Sequence, residues 1–284
     1  MILWVLWMTY GSFYFCRTNI AAAVPGMGAE LGLSTIEIGK ILGSLKLAYG
    51  IGQFINGQLA ERFRPRLLLA IGMMLSAVLN VVFGLGTGFY FLLFVWAMNG
   101  YSQSMGWTPC MRVAANWIPA ERRGRAIGII GTGYQVTAAL TFLVSGWAAD
   151  RFGWRGALYV PAGLLFLSSL HMLLTLRESP SGSDQEASTE ETPERGSPRP
   201  GSGQILRNVI VTLSNPKLWF LAVTLGMLNA NRYGFLDWGL THLTEVQETG
   251  VGKAGAKYMF LPLGGIAGAL VTGWVTDRWF GGRR

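Results

Sequence analysis

The chain has 284 residues, 51% hydrophobic and only 13% charged, with a formal net charge of +8. Soluble domains carry about 25% charged residues, so the composition argues against a soluble enzyme or a nucleic-acid-binding domain and for a polytopic membrane protein.

A membrane-spanning helix needs about 20 predominantly apolar residues. In chain order, amphipathic segments near 2–24 and 36–59 are predicted as the first two spans. Residues 67–111 contain no charge and are interrupted by the glycine-rich GLGTG at 84–88, which predicts two helices joined by a tight loop. Uncharged runs at 126–149 and 156–176 give a fifth and a sixth span, and 218–239 and 258–276 a seventh and an eighth. Glycine, at 39 residues, is about twice as frequent as usual and is read as helix packing. Cys16 and Cys110 both fall inside predicted spans and are read as buried, unreactive thiols. The first span begins at Met1 without a basic leader and is read as a retained helix rather than a cleaved signal peptide.

Between the sixth and seventh spans lies ESPSGSDQEASTEETPERGSPRPGSG at 178–203, polar and without apolar periodicity. It predicts a disordered tether. The following QILRNVIVTLSNP is read as a short helix at the membrane surface. The predicted organisation is a six-helix bundle at 1–177, a linker at 178–217 and two helices of a second bundle at 218–284, all-α throughout. With the N-terminus placed in the cytoplasm, 14 of the 23 Lys and Arg residues fall on cytoplasmic loops and five on outer loops. The positive-inside rule favours this orientation, in the cell membrane with N-terminus and linker cytoplasmic, and it accounts for the basic excess without a nucleic-acid partner.

Four basic residues, Arg17, Lys46, Arg112 and Arg232, sit in or at the ends of spans. A charge near the bilayer centre costs about 2.5–3.5 kcal/mol on insertion scales, so each needs a reason. An internal repeat supplies one. GQLAERF at 57–63 follows the second span, and GWVTDRW at 273–279 follows the eighth; a related GWAADRFGWR at 146–155 follows the fifth. Arg17 precedes Gly57 by 40 residues, and Arg232 precedes Gly273 by 41. The two arginines therefore hold equivalent places in two halves of one duplicated plan, an architecture of transporters whose site lies between the halves near the midplane. The competing reading is a snorkelling or structurally paired arginine.

These strings carry a resemblance. GQLAERFRPR and GWVTDRWFGGRR are similar to the cytoplasmic loop motif of the major facilitator superfamily. YFCRTN at 14–19, GWTPCMR at 106–112 and RYGFLDW at 232–238 resemble its organophosphate:phosphate antiporters, the glycerol-3-phosphate and hexose-phosphate transporters. The resemblance implies a twelve-span fold of which this chain holds eight, with the last four spans missing, so that the chain alone is expected not to exchange substrate. It implies a secondary transporter exchanging an organic phosphate for inorganic phosphate by alternating access, monomeric when complete and surrounded by membrane lipid. Arg17 and Arg232 would bind the phosphoryl group, because a guanidinium pairs bidentately with phosphate oxygens and stays charged when desolvated. Tyr10 and Tyr14 match family tyrosines; spaced i, i+4 and i+7 with Arg17, they fall on one face of a helix. Lys46 is a further candidate ligand, and Asp237 is read as orienting helices or a gate. Gly57, Glu61, Arg62, Gly273, Asp277 and Arg278 are read as loop–helix contacts that hold one conformation.

Three positions depart from the family pattern. Gln53 stands where a lysine is common, Tyr134 and Gln135 lie nearest the site of a missing histidine, and Pro262 occupies the place of a carboxylate. Two other readings are a membrane sensor that binds a phosphate ester without moving it, and an inactive truncated carrier. No Gly-rich phosphate loop, helical His pair or Ser–His–Asp arrangement occurs, so no catalytic residue, metal or cofactor is predicted. His171 and His242 have no metal-ligand spacing.

Overall fold

The computed structural model describes residues 2–179, 207, 211 and 213–279; the side chains of Glu61, Leu270, Gly273, Trp274, Thr276, Asp277 and Trp279 lie outside the description. Most of the predicted linker, and the loop-motif side chains of Glu61, Gly273 and Asp277, are thus outside the described residues. The chain divides into two compact units, Met1–Pro180 with Asp237–Arg284, and Ser181–Leu236.

The described residues form helices and no strands. The first passage is interrupted: α1 (Ile2–Ser12) runs into a 3-10 turn (Phe13–Cys16), and a second helix, α2 (Ile20–Leu31), follows after Arg17–Asn19. Gly32, with φ 63°, ends α2 in the left-handed region, and its N–H bonds back to Gly28. Ser34 then starts α3 (Thr35–Arg62) with a capping box, its hydroxyl accepting from the Glu37 N–H while Glu37 accepts from the Ser34 N–H. This satisfies two donors that every helix start leaves open. Pro65 opens α4 (Pro65–Leu85) at its first turn, where a missing N–H does no harm. The GLGTG stretch separates α4 from α5 (Phe89–Gln103), and a short break at 104–106 leads to α6 (Trp107–Trp117).

Helix α7 (Ala120–Thr175) holds 56 residues, about 84 Å of helix, far more than one bilayer crossing requires. Gly153, at φ 71° and ψ −179°, turns the chain between two limbs, and an L side chain would be strained there. These limbs are the fifth and sixth predicted spans. After them come α8 (Pro216–Glu245), the short α9 (Val251–Tyr258) and α10 (Phe260–Trp279). About eight membrane passages result, as the hydropathy pattern predicts.

In the first unit α1 packs on α7, α3 on α5, and α4 on both α5 and α7. Leu6, Phe13, Met73, Trp96, Ile130 and Phe142 fill the interior. At Gly100 a Cβ would collide with the Leu45 carbonyl, so α5 approaches the α3 backbone only because that residue is glycine. The outer surface carries large apolar side chains, including Phe54 at 84% exposed, Tyr90 and Leu174. A water-facing surface avoids such a contiguous coat; a lipid-facing one requires it.

Candidate anion site

Arg17 sits at the interruption in the first passage. A continuous helix over residues 10–17 is expected from the sequence; instead the 3-10 turn tightens the chain at 13–16, and Arg17 (φ −114°) ends it with its N–H on the Tyr14 carbonyl. Breaking a helix inside a membrane frees carbonyls that lipid cannot satisfy, so neighbouring helices must. They do. Gln103 of α5 donates to the Phe13 carbonyl at 3.0 Å, and Asn99 of α5 donates to the Cys16 carbonyl at 2.9 Å. Thr18 donates to the Tyr14 carbonyl at 3.1 Å. On the far side of the break, Asn19 donates to Asn80 of α4 at 2.8 Å.

The Arg17 side chain is only 7% exposed. Its Nε donates to Gln103 Oε1 at 3.2 Å and its Nη1 to the Tyr14 hydroxyl at 3.4 Å. The guanidinium carbon lies 4.8 Å from the Tyr14 ring centre and 4.4 Å from that of Tyr49 on α3, both within cation–π range. Tyr134 of α7 stacks on Tyr14 with ring centres 4.9 Å apart, and Tyr10 stands 6.3 Å from both rings. Trp107, at the start of α6, closes on Tyr10 at 4.8 Å. Tyr10, Tyr14 and Arg17 are thus brought together as expected, although by a broken helix. Gln103, Tyr49 and Trp107 join them from three other helices.

Lys46 lies three residues before Tyr49, on the same side of α3. Its Nζ forms an ion pair with Asp237 and also donates to the Leu42 carbonyl at 3.1 Å. The second unit contains Arg232, whose guanidinium carbon is 6.0 Å from the ring of Tyr233. Of the loop-motif residues, Gly57 lies near the end of α3, where a Cβ would meet nothing within 4 Å. Arg62 and Arg278 are exposed at the ends of α3 and α10. The residue that closes α3 is Arg112, which donates to the carbonyls of Ala60 and Phe63 and so caps its C-terminus.

Polar groups buried at a broken helix, inside a bundle whose outer face is apolar, are features of a polytopic membrane protein. The chain belongs to the Major Facilitator Superfamily, whose profile matches residues 6–284. That family is one of transporters, not enzymes. Three relatives place the chain further. A probable hexose phosphate transport protein of Chlamydia pneumoniae is 29% identical over all of this chain and 65% of its own length. The membrane sensor protein UhpC of Escherichia coli is 28% identical over all of this chain and 66% of its own. The glycerol-3-phosphate transporter of Bacillus subtilis is 29% identical over 98% of this chain and 65% of its own. The chain therefore spans just under two thirds of their lengths. Among solved structures, an inward-facing bacterial homologue of the human lysosomal transporter Spinster matches 98% of this chain and 62% of its own, with a TM-score of 0.79 at 20% identity, a likeness of fold.

Proposed function

We propose that this chain belongs to a secondary transporter that exchanges an organic phosphate ester for inorganic phosphate by alternating access. The observation that carries the reading is Arg17 itself: a buried guanidinium at a membrane-helix break, oriented by an amide and a phenol and walled by aromatic rings. Such a group recognises a compact, doubly charged oxyanion. The hexose phosphate and glycerol-3-phosphate named for the relatives have the phosphoryl group as their common charged moiety, which supports assigning it to Arg17 and Arg232. Tyr10 and Tyr14 shape the pocket around it, and Lys46, held by Asp237 in this structure, joins them as a ligand only when that ion pair opens. Six spans at 1–177 form one half of the carrier, and 218–284 contributes to the other. The carrier works as a monomer in the inner membrane, with its N-terminus and linker in the cytoplasm. Two arginines that share one anion repel one another in its absence, which disfavours closure without an anion and favours obligatory exchange.

Equilibrium binding of inorganic phosphate to the purified chain in detergent tests the reading. Saturable binding, displaced by glucose 6-phosphate and by glycerol 3-phosphate and weakened by roughly a hundredfold in Arg17→Ala, is expected. Arg17→Ala that binds like the parent overturns it. A second reading is suggested by UhpC, a membrane sensor protein: this chain would belong to a protein that binds the anion and signals without carrying it. Vesicles loaded with phosphate and given radiolabelled phosphate outside separate the two, with any coding sequence that follows Arg284 included. Binding without exchange favours the sensor.

A further inference from the structure

We infer that Gln103 is the positioning residue of the anion site: a neutral acceptor that fixes the Arg17 guanidinium without adding a counter-charge of its own. The inference rests on the phosphate-binding reading above and goes beyond it in naming what holds the arginine and why that group is an amide.

The hydrogen-bond directions behind Arg17 admit one arrangement. Gln103 Nε2 donates to the Phe13 carbonyl at 3.0 Å and to Ser76 Oγ at 2.7 Å. The Ser76 hydroxyl spends its own proton on Asn99 Oδ1 at 2.7 Å, so toward Gln103 it can only accept. Asn99 Nδ2 then donates to the Cys16 carbonyl at 2.9 Å. Gln103, Ser76 and Asn99 are each no more than 1% exposed. Turning the Gln103 amide over would set N–H against the guanidinium N–H and lose both donations. Gln103 Oε1 therefore faces Arg17 Nε, at 3.2 Å.

The network leaves Arg17, passes through α5, α4 and α5 again, and returns to Cys16, one residue from where it began. It ties the guanidinium to the carbonyls freed by the helix break, so side chain and backbone are held as one unit. A carboxylate at position 103 would hold the guanidinium equally well. It would also neutralise it in a low-dielectric interior, where one adjacent charge of the opposite sign outweighs most other effects on an incoming anion. The amide gives the geometry without the charge.

The test is inorganic phosphate binding to the purified chain and to Gln103→Met and Gln103→Glu, with thermal unfolding of each. Gln103→Met removes the acceptor at similar volume, and affinity is expected to fall about tenfold, the worth of one hydrogen bond to a charged group. Gln103→Glu keeps an acceptor but supplies a counter-charge, so affinity falls about tenfold further, while its unfolding temperature is no lower than that of Gln103→Met. A residue that served only to hold the fold would give the opposite order of affinities, with the glutamate variant nearer the parent. Either variant binding phosphate like the parent overturns the proposal, as does tighter binding by Gln103→Glu than by Gln103→Met. If Gln103→Met does not fold, the comparison of Gln103→Glu with the parent decides alone. A parent chain that fails to bind phosphate overturns the reading of the whole site; a parent that binds, with Gln103→Glu unchanged, overturns only the role of Gln103.

Discussion

Lys46 on α3 and Asp237 on α8 form an ion pair across 191 residues of sequence, with side chains 30% and 14% exposed. A pair this sheltered is tied together more by what each partner alone would suffer than by their attraction. Removing one leaves the other desolvated without its counter-charge. Lys46→Met and Asp237→Asn are each expected to lower stability by roughly 1–3 kcal/mol, and the double variant by clearly less than their sum. Thermal unfolding in one detergent across the four proteins measures the coupling. Strict additivity would make the contact incidental to the fold.

The ion pair also shows where sequence reading stops. Lys46 and Asp237 each stand out as charges inside apolar runs, and their separate assignments, one as a ligand and one as a helix-orienting group, follow from that alone. Nothing in their spacing says that they meet. The spans themselves are legible because lipid imposes a length and a composition on every helix, and the turn at Gly153 sits where the uncharged runs part. Arg17 is legible for the same reason, as an expensive residue in the wrong solvent. The break beside it is not. Residues 2–24 read as one apolar segment, and the interruption is permitted by Gln103, Asn99 and Asn80, polar side chains on helices far along the chain. Neutral amides inside uncharged runs were the available signal, and charge-based reading passes over them.

At the C-terminal end of α2, Glu30 accepts from Arg155 at 2.7 Å and from the Trp154 indole at 2.9 Å, while Arg155 also donates to the Gly84 carbonyl near the end of α4. These bonds, Arg155 first, hold the Glu30 carboxyl below its ordinary value of 4.5. A carboxylate depressed in the folded state contributes stability that is fully present above its unfolded pKa and is lost as pH falls through the lower, folded one. The parent should therefore lose unfolding temperature on acidification from about pH 6 to about pH 3 more steeply than Glu30→Gln, which has no carboxylate to protonate. Parallel pH profiles for the two would mean that this exposed cluster contributes nothing.

The proposed orientation rests on charge. With 14 Lys and Arg residues on one set of predicted loops and five on the other, the positive-inside rule supports the proposal that the 178–203 segment is cytoplasmic. Both native cysteines are buried, so a single added thiol reports cleanly. A Ser188→Cys variant should resist an impermeant maleimide in intact cells and react once the membrane is opened. Prompt labelling from outside would reverse the topology.

The guanidinium fork of Arg17 offers more than its charge. Nε engages Gln103 and Nη1 engages Tyr14, which orients the plane before any anion arrives. Lysine keeps the charge but has neither the plane nor a second donor geometry. Arg17→Lys is expected to weaken phosphate binding by at least about tenfold with little change in unfolding temperature. Unchanged affinity would show that a point charge suffices.

Arg232 carries the last prediction. It follows Arg17 by 215 residues in a chain whose loop motifs repeat at 216, so the duplicated plan read from the sequence gives each half one arginine at an equivalent position. If both grip one phosphoryl group, neither holds a dianion well alone, because a single guanidinium compensates only part of its charge and leaves the rest desolvated. Losing the second arginine after the first then removes little more. Arg17→Ala, Arg232→Ala and the double variant should therefore be about equally defective in phosphate binding, each weakened by roughly a hundredfold, as expected of residues that act through one shared ligand. Isothermal titration of phosphate into the four purified proteins measures this directly. Two single losses that sum in the double variant would mean two separate anion sites. An Arg232→Ala protein that binds like the parent would leave Arg17 as the sole anchor and assign Arg232 to helix packing beside Tyr233.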